Sequence, residues 1–327
     1  MACHTAHMLR RIMLAGLGGA LALPKTSWAA QGFSSFLAQL QVRARAAGIP
    51  ESIIQASTFG LVPNQDVLKL DHHQPEFTLT WAQYSSRVLS QTRITTGQGK
   101  YQQTQNLFAA ITSRYGVSAD VMLGIWGLET NFGANQGNFN VIDALTTLAW
   151  DRQSHYFGNE VIKAMTIVAR GDAPVANLLG SYAGAMGQPQ FMPSTYLTTA
   201  VSFAGNGAPD IWNSDADALA SMANYLAKAG WQADQPSSEA VLAPANINIA
   251  MTGRENMQTI GYWQRLGVQR LPGAAALPPD TPSALLLPDG AGGQAFLVYQ
   301  NFTAIRRYNP SDYYALAVGA LGRMILA

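Results

Sequence analysis

One cysteine, Cys3, is the entire thiol content of this 327-residue chain, and histidine is almost as scarce, at five. A lone thiol excludes a disulfide framework, and no cysteine follows the first apolar stretch to carry a lipid anchor. Two of the histidines, His4 and His7, fall in the first seven residues, which leaves little material for a histidine metal site. Charge is thin: 12% of residues are Asp, Glu, Lys or Arg, and the formal net charge of +1 offers no field for nucleic acid. The apolar run from Ile12 to Leu23 is too short to span a membrane. What is there is a chain 48% hydrophobic, long enough for one large or two modest domains around a sizeable core.

The N-terminus reads as an export signal. Arg10 and Arg11 precede the apolar run, Pro24 closes it, and Ser27-Trp28-Ala29 places small residues at the two positions a signal peptidase reads. Cleavage before Ala30 removes Cys3, Arg10, Arg11 and Lys25 but no acid, leaving 17 basic against 19 acidic residues and a net charge of −2. The expectation is a soluble, periplasmic protein with no lipid anchor.

From residue 30 to residue 116 the pattern is helical. Phe36, Leu37, Leu40, Val42 and Ala46 precede a stop at Gly48, and Pro50 opens a second helix. Residues 61–75 look like a loop. Helices are expected again from Trp81 and over 98–115, ended by Gly116. Tyr84, in the first of these, is a core or surface aromatic unless something else calls it to a ligand.

The stretch from Gly124 to Gly133 is unusual. A lone carboxylate, Glu129, sits inside an apolar helical run beginning near Ser118, which can cap it, with Asp120 at the positive end of the dipole. Val121, Ile125, Leu128 and Phe132 recur at helical spacing, so Glu129 borders the buried face. Burial there disfavours the charged form and raises its pKa, as a general acid requires. The alternative is a helix-end Glu in solvent.

Helices over 141–150 and from Tyr156 to about Arg170 follow. The second unusual stretch is Gly180–Pro193, whose many small residues cannot fill a core but let backbone approach a ligand or another backbone. Ser181 and Gln190 are the polar groups it can aim into a cleft; as a plain helix–helix connection, it would point Gln190 at water. Pro193 starts a helix expected to reach Phe203. Residues 202–210 then resemble an eroded calcium loop. Ser202, Ala204 and Asn206 stand at its first, third and fifth positions and Asp210 at its ninth, a donor set too poor for calcium, so no metal is expected. Ser214 and Asp217 open the next helix, which carries Tyr225 and stops at Gly230.

Residues 239–307 change character: Pro and Gly cluster, and apolar runs at 285–287 and 295–299 mark a small strand-rich insert. The last helix starts with Asn309 as N-cap, Pro310 at its first position and Asp312 in its first turn, followed by Tyr313 and Tyr314.

Four blocks, 124–133, 181–196, 210–231 and 307–318, together resemble the lytic murein transglycosylase B family, glycoside hydrolase family 103, over most of residues 33–327. The resemblance implies a mainly α (α+β) chain: a lysozyme-like helical core (117–238), a helical N-terminal region (30–116), the β-rich insert (239–307), and a C-terminal helix (308–327) returning to the core, after a signal peptide (1–29). It implies cleavage of the β-1,4 bond between N-acetylmuramic acid and N-acetylglucosamine in peptidoglycan, without a cofactor. By motif, Glu129 is similar to the family's single catalytic acid/base and Ser181 to its hydrogen-bonding partner. Gln190 and Asn309 are similar to sugar contacts, and Tyr84, Tyr156, Tyr225, Tyr308 and Tyr314 to the aromatics of the cleft. An acid that the family's calcium loop carries is missing at Ser202. The rival functions are a water-adding muramidase and a murein-binding scaffold with no need of Glu129.

Overall fold

Glycines placed where two helices cross decide the packing of this chain. The structure, a computed structural model, describes residues 32–73, 79–205 and 207–327. Thirteen α-helices and two small antiparallel sheets make up the described residues, which fall into two compact units. Residues 1–29, expected from the sequence to be a signal peptide, and Asn206 lie outside them.

One unit holds residues 79–132 and 222–327. Its centre is α6 (Ala119–Thr130) packed on α13 (Asp312–Leu326). A Cβ at Gly124 would stand 2.1 Å from the Val318 carbonyl oxygen, and one at Gly322 would stand 1.9 Å from that of Asp120. The two backbones therefore touch, and only glycine fits at either point. Helix α6 is apolar all round, and every residue from Val121 to Leu128 is buried, as is Thr130. Glu129 alone in that run keeps partial access to solvent. Ser118 is the N-cap residue as expected, but its hydroxyl makes no capping bond. Burial rather than a cap holds the first turn. At the other end Asn131 and Phe132 adopt left-handed φ of 50° and 59°, and the Phe132 N–H donates to the Trp126 carbonyl (3.1 Å), stopping the helix one turn past the glycines.

Around this pair lie α4 (Trp81–Val88), α5 (Gln91–Tyr115) and α12 (Gln300–Tyr308). Helix α5 starts earlier than its apolar pattern indicates, because Ser90 caps it, and it kinks at Thr104. The sheet runs β4 (Gln258–Thr259), β6 (Pro282–Leu286), β7 (Ala295–Val298), β3 (Ser238–Leu242), β5 (Gln269–Arg270), all antiparallel, with Leu285 opposite Leu297 and Ala240 opposite Phe296. Leu285, Leu297, Val241 and Tyr299 close on the fully buried Trp263, whose indole N–H reaches the Ser283 carbonyl at 3.1 Å. The start of α13 differs from expectation. Ser311, not Asn309, is the N-cap and accepts the Tyr314 N–H. Asn309 ends α12 and bonds the Ser311 N–H at 3.2 Å. A Ser two residues further on competes for the same role and wins.

The other unit holds residues 32–73 and 133–221. Helices α1 (Phe33–Ala46), α2 (Glu51–Thr58) and α3 (Gln65–His72) pack with α7 (Val141–Asp151) and α8 (His155–Ala169). Helix α3 corrects the loop expected over 61–75. It is short and polar, with Val67 its only buried residue, so no periodicity betrays it. Asn64 caps it and also donates to Asp143 at 2.7 Å, which fastens the cap to α7. Helix α9 (Pro193–Thr199) ends short of Phe203, and α10 (Asp215–Lys228) starts where Ser214 accepts the Asp217 N–H.

Gly124→Ala is expected to lower the stability of the protein by about 3 kcal/mol or more, because backbone cannot yield as a flexible side chain can. Gly99→Ala, in α5 where a Cβ meets nothing within 4 Å, should instead raise it by about 0.5–1 kcal/mol. Urea denaturation midpoints of the two variants check both.

Candidate active site

The last turn of α6 presents Glu129 half-buried, at the negative end of its helix. The hydroxyl of Tyr314, from the first turn of α13, donates to Glu129 Oε1 at 2.8 Å. Tyr314 is itself buried, so the bond is a sheltered one. Tyr84 on α4 is near enough to feel the same carboxylate. Burial first, and the Glu129 charge second, push its phenol well above the ordinary tyrosine range, with the Arg93 guanidinium a smaller opposing influence. Tyr84 therefore stays neutral wherever a carboxylate titrates. Its ring packs on Trp81 and Tyr313, with centroids 6.1 and 5.6 Å away.

Tyr225 and Tyr308 form an edge-to-face pair in the same unit (4.8 Å, 65°), and the Tyr225 hydroxyl donates to the Arg307 carbonyl at 2.5 Å. Tyr308 and Asn309 are both buried, and the carboxamide oxygen of Asn309 is engaged in the turn into α13.

Residues 180–191 of the other unit form a tight double turn. The Ser181 N–H donates to Ala185 O (2.8 Å), its hydroxyl accepts the Ala185 N–H (3.1 Å), and Met186 bridges to both Gly180 and Phe191. Gly184, at φ +83°, lies where a Cβ would be 2.3 Å from Leu145 of α7, so the small residues serve close packing. Gln190 does not point to water. It is buried with φ 53°, and its amide nitrogen donates to the carbonyls of Gln136 (3.0 Å) and Gly187 (2.9 Å). Tyr156, at the start of α8, is exposed and packs edge-on against Phe157.

In and beside the 202–210 loop two carboxylates accept backbone N–H groups. Asp217 accepts the N–H groups of Phe203 (2.8 Å) and Asp210 (2.9 Å), and Asp210 accepts those of Trp212 (3.1 Å) and Asn213 (2.9 Å). Ser202 stands at the first position in place of an acid, and Asn206, at the fifth, lies outside the described residues.

Residues 32–323 match the family model for the transglycosylase SLT domain. The chain belongs to that family. Over 257 residues it is 35% identical to the membrane-bound lytic murein transglycosylase B of Escherichia coli K12, covering 75% of this chain and 67% of that one. It is also similar to the structure of SltB3 from Pseudomonas aeruginosa in complex with NAG-anhNAM-pentapeptide. The TM-score there is 0.85 at 40% identity, over 90% of this chain and 79% of the other. The E. coli lytic transglycosylase Slt35 in complex with calcium matches with a TM-score of 0.75 at 28% identity, over 89% and 92%. The fold is thus lysozyme-like and mainly helical, and the chain is a lytic transglycosylase, an enzyme that cleaves peptidoglycan.

Three residues that touch these groups carry no signal of their own in the sequence. Gln136, which fixes Gln190, also donates to the carbonyls of Gly133 (3.1 Å) and Trp212 (2.9 Å). Tyr313 reads as spare aromatic surface, and Asp289 lies in a Pro-Asp-Gly turn that marks only a loop.

Tyr314→Phe removes one hydroxyl and leaves the ring in its buried place. Its turnover on purified sacculi is expected to fall about tenfold with the circular dichroism spectrum unchanged, consistent with losing one charge-assisted hydrogen bond.

Proposed function

We propose that Glu129 is the single carboxylate of the reaction and acts in both halves of it. It protonates the glycosidic oxygen of the β-1,4 bond between N-acetylmuramic acid and N-acetylglucosamine as that bond breaks. The carboxylate it becomes then takes the proton of the muramoyl 6-hydroxyl, whose oxygen attacks C1. A 1,6-anhydromuramoyl end forms and no water is consumed. The hydrogen bond from Tyr314 to Glu129 carries this reading: a neutral donor in a buried setting steadies the carboxylate form and orients it.

Helix geometry supports one carboxylate rather than two. Asp120 lies nine residues before Glu129 on α6, a rise of about 13.5 Å, beyond the roughly 5–9.5 Å that separates paired glycosidase carboxylates. The other acid near in sequence, Asp143, already accepts the Asn64 amide at 2.7 Å. The anhydromuramoyl ligand held by SltB3 is what such a reaction yields.

The other site residues follow the family motif. Ser181, Gln190 and Asn309 orient the acid or contact sugars, and Tyr84, Tyr156, Tyr225, Tyr308 and Tyr314 line the cleft. Among the described residues no helix is long and apolar enough to cross a membrane. Export to the periplasm by the signal sequence over 1–29 puts the enzyme beside its glycan strands.

Glu129→Gln should reduce murein lysis by about 10²-fold or more. Unchanged lysis would remove Glu129 from the chemistry and leave the scaffold reading. Mass spectrometry of sacculi digested by the unaltered protein should show anhydromuramoyl ends, whereas reducing muramic ends alone would make it a muramidase. The 202–210 loop is read as working without metal, so a chelator should leave the melting temperature where it is; a drop of several degrees would restore calcium.

A further inference from the structure

We propose that Asp289, in the loop between β6 and β7, is a positioning residue for the reaction, tying together the two helices that bring Tyr84 and Tyr314 to Glu129. The proposal rests on Glu129 being the acid/base. Asp289 Oδ1 accepts the Trp81 N–H at 2.6 Å, and Oδ2 accepts that of Ala82 at 3.4 Å, so a side chain from more than two hundred residues away caps the first turn of α4. The same Oδ1 accepts the Tyr313 hydroxyl of α13 at 3.2 Å. Gln294, at the other end of the loop, takes the Trp81 indole N–H at 2.7 Å.

Each end of this tie is close in sequence to a tyrosine that acts on Glu129. Tyr84 is one helical turn beyond Trp81, and Tyr313 precedes Tyr314, whose hydroxyl holds Glu129. Neighbouring residues on a helix diverge by about 100°, so Tyr313 can face the loop while Tyr314 faces the acid. The rings close the circuit: Trp81 packs edge-on against Phe296 of β7 (5.6 Å) and Tyr313 (5.8 Å), and Tyr313 meets Tyr84 at 5.6 Å.

Helix α4 does not need Asp289 in order to form. Thr80 and Gln83 already make a reciprocal capping box of their own. The contribution of Asp289 is therefore to where α4 sits against α13, and hence to the alignment of two phenols on one carboxylate. The loop between β6 and β7 thereby acts on the reaction through the two helices.

Asp289→Ala is expected to lower kcat on soluble murein glycan chains about ten- to a hundredfold, with KM changed less than twofold. Asp289→Asn, which keeps an oxygen acceptor for the Trp81 N–H, should recover most of that loss. Tyr313→Phe, which breaks only the α13 end, should show the same split and keeps the test open if the alanine variant folds poorly. The proposal fails if kcat of the folded Asp289→Ala protein equals that of the parent, or if KM alone rises. Glu129→Gln is measured alongside: activity in that variant would overturn the acid/base reading itself, while its inactivity beside a fully active Asp289→Ala would overturn only the positioning role.

Discussion

The backbone contact between α6 and α13 is what the acid site depends on. Gly124 lies against the Val318 carbonyl and Gly322 against that of Asp120, so the helices can neither slide nor rotate without a clash. Glu129 stands five residues beyond Gly124, and Tyr314 stands four residues before Val318, the partner of Gly124 in that contact. The 2.8 Å bond between them is therefore set by the crossing, not by the reach of two flexible side chains. Gly127 extends the same seam, with Leu321 and Phe132 closing over it.

A comparable economy of side chains builds the 180–191 turn in its own unit. Its bonds run mostly within the loop, and Gln190 accepts a left-handed backbone while its amide closes the turn on Gly187 and Gln136. A buried carboxamide in that conformation carries strain of about 1–3 kcal/mol, which persists because two hydrogen bonds and the packing against α7 over-determine it. The loop is thereby stiff enough to present Ser181 at a fixed place despite containing so many small residues.

The elements with a strong period were legible in advance. Val121, Ile125 and Leu128 announced α6; Gly116 and Gly230 stopped the helices they were expected to stop; and the runs at 285 and 295 became β6 and β7. The misses have particular causes. Helix α3 buries only Val67, so its polar sequence hides it, and its cap at Asn64 has no period behind it. Asn309 and Ser311 are both good caps two residues apart, and nothing local ranks them. Of the candidate site, Glu129, Tyr225, Tyr308 and Tyr314 lie within the four motif blocks, whereas Tyr84 and Tyr156 lie outside them. The partners that aim them could not be named in advance, because Asp289 and Trp81 meet only once the sheet has folded. Long-range caps leave no trace at fixed sequence spacing.

A carboxyl group that must give up a proton and then take one needs surroundings that favour neither form strongly. A cation in direct contact would lock Glu129 as the carboxylate, and a wholly apolar pocket would lock it as the acid. The structure supplies neutral hydroxyl groups and partial access to solvent. Tyr314 donates one hydrogen bond, Tyr84 adds a phenol that burial keeps protonated, and α6 ends its buried run just as Glu129 gains partial access to solvent. Arg93, which opposes the Glu129 effect on Tyr84, is pushed downward by its own burial and reaches the Val88 carbonyl. The Tyr314 dipole is fixed by helix packing and need not reorient when the proton moves.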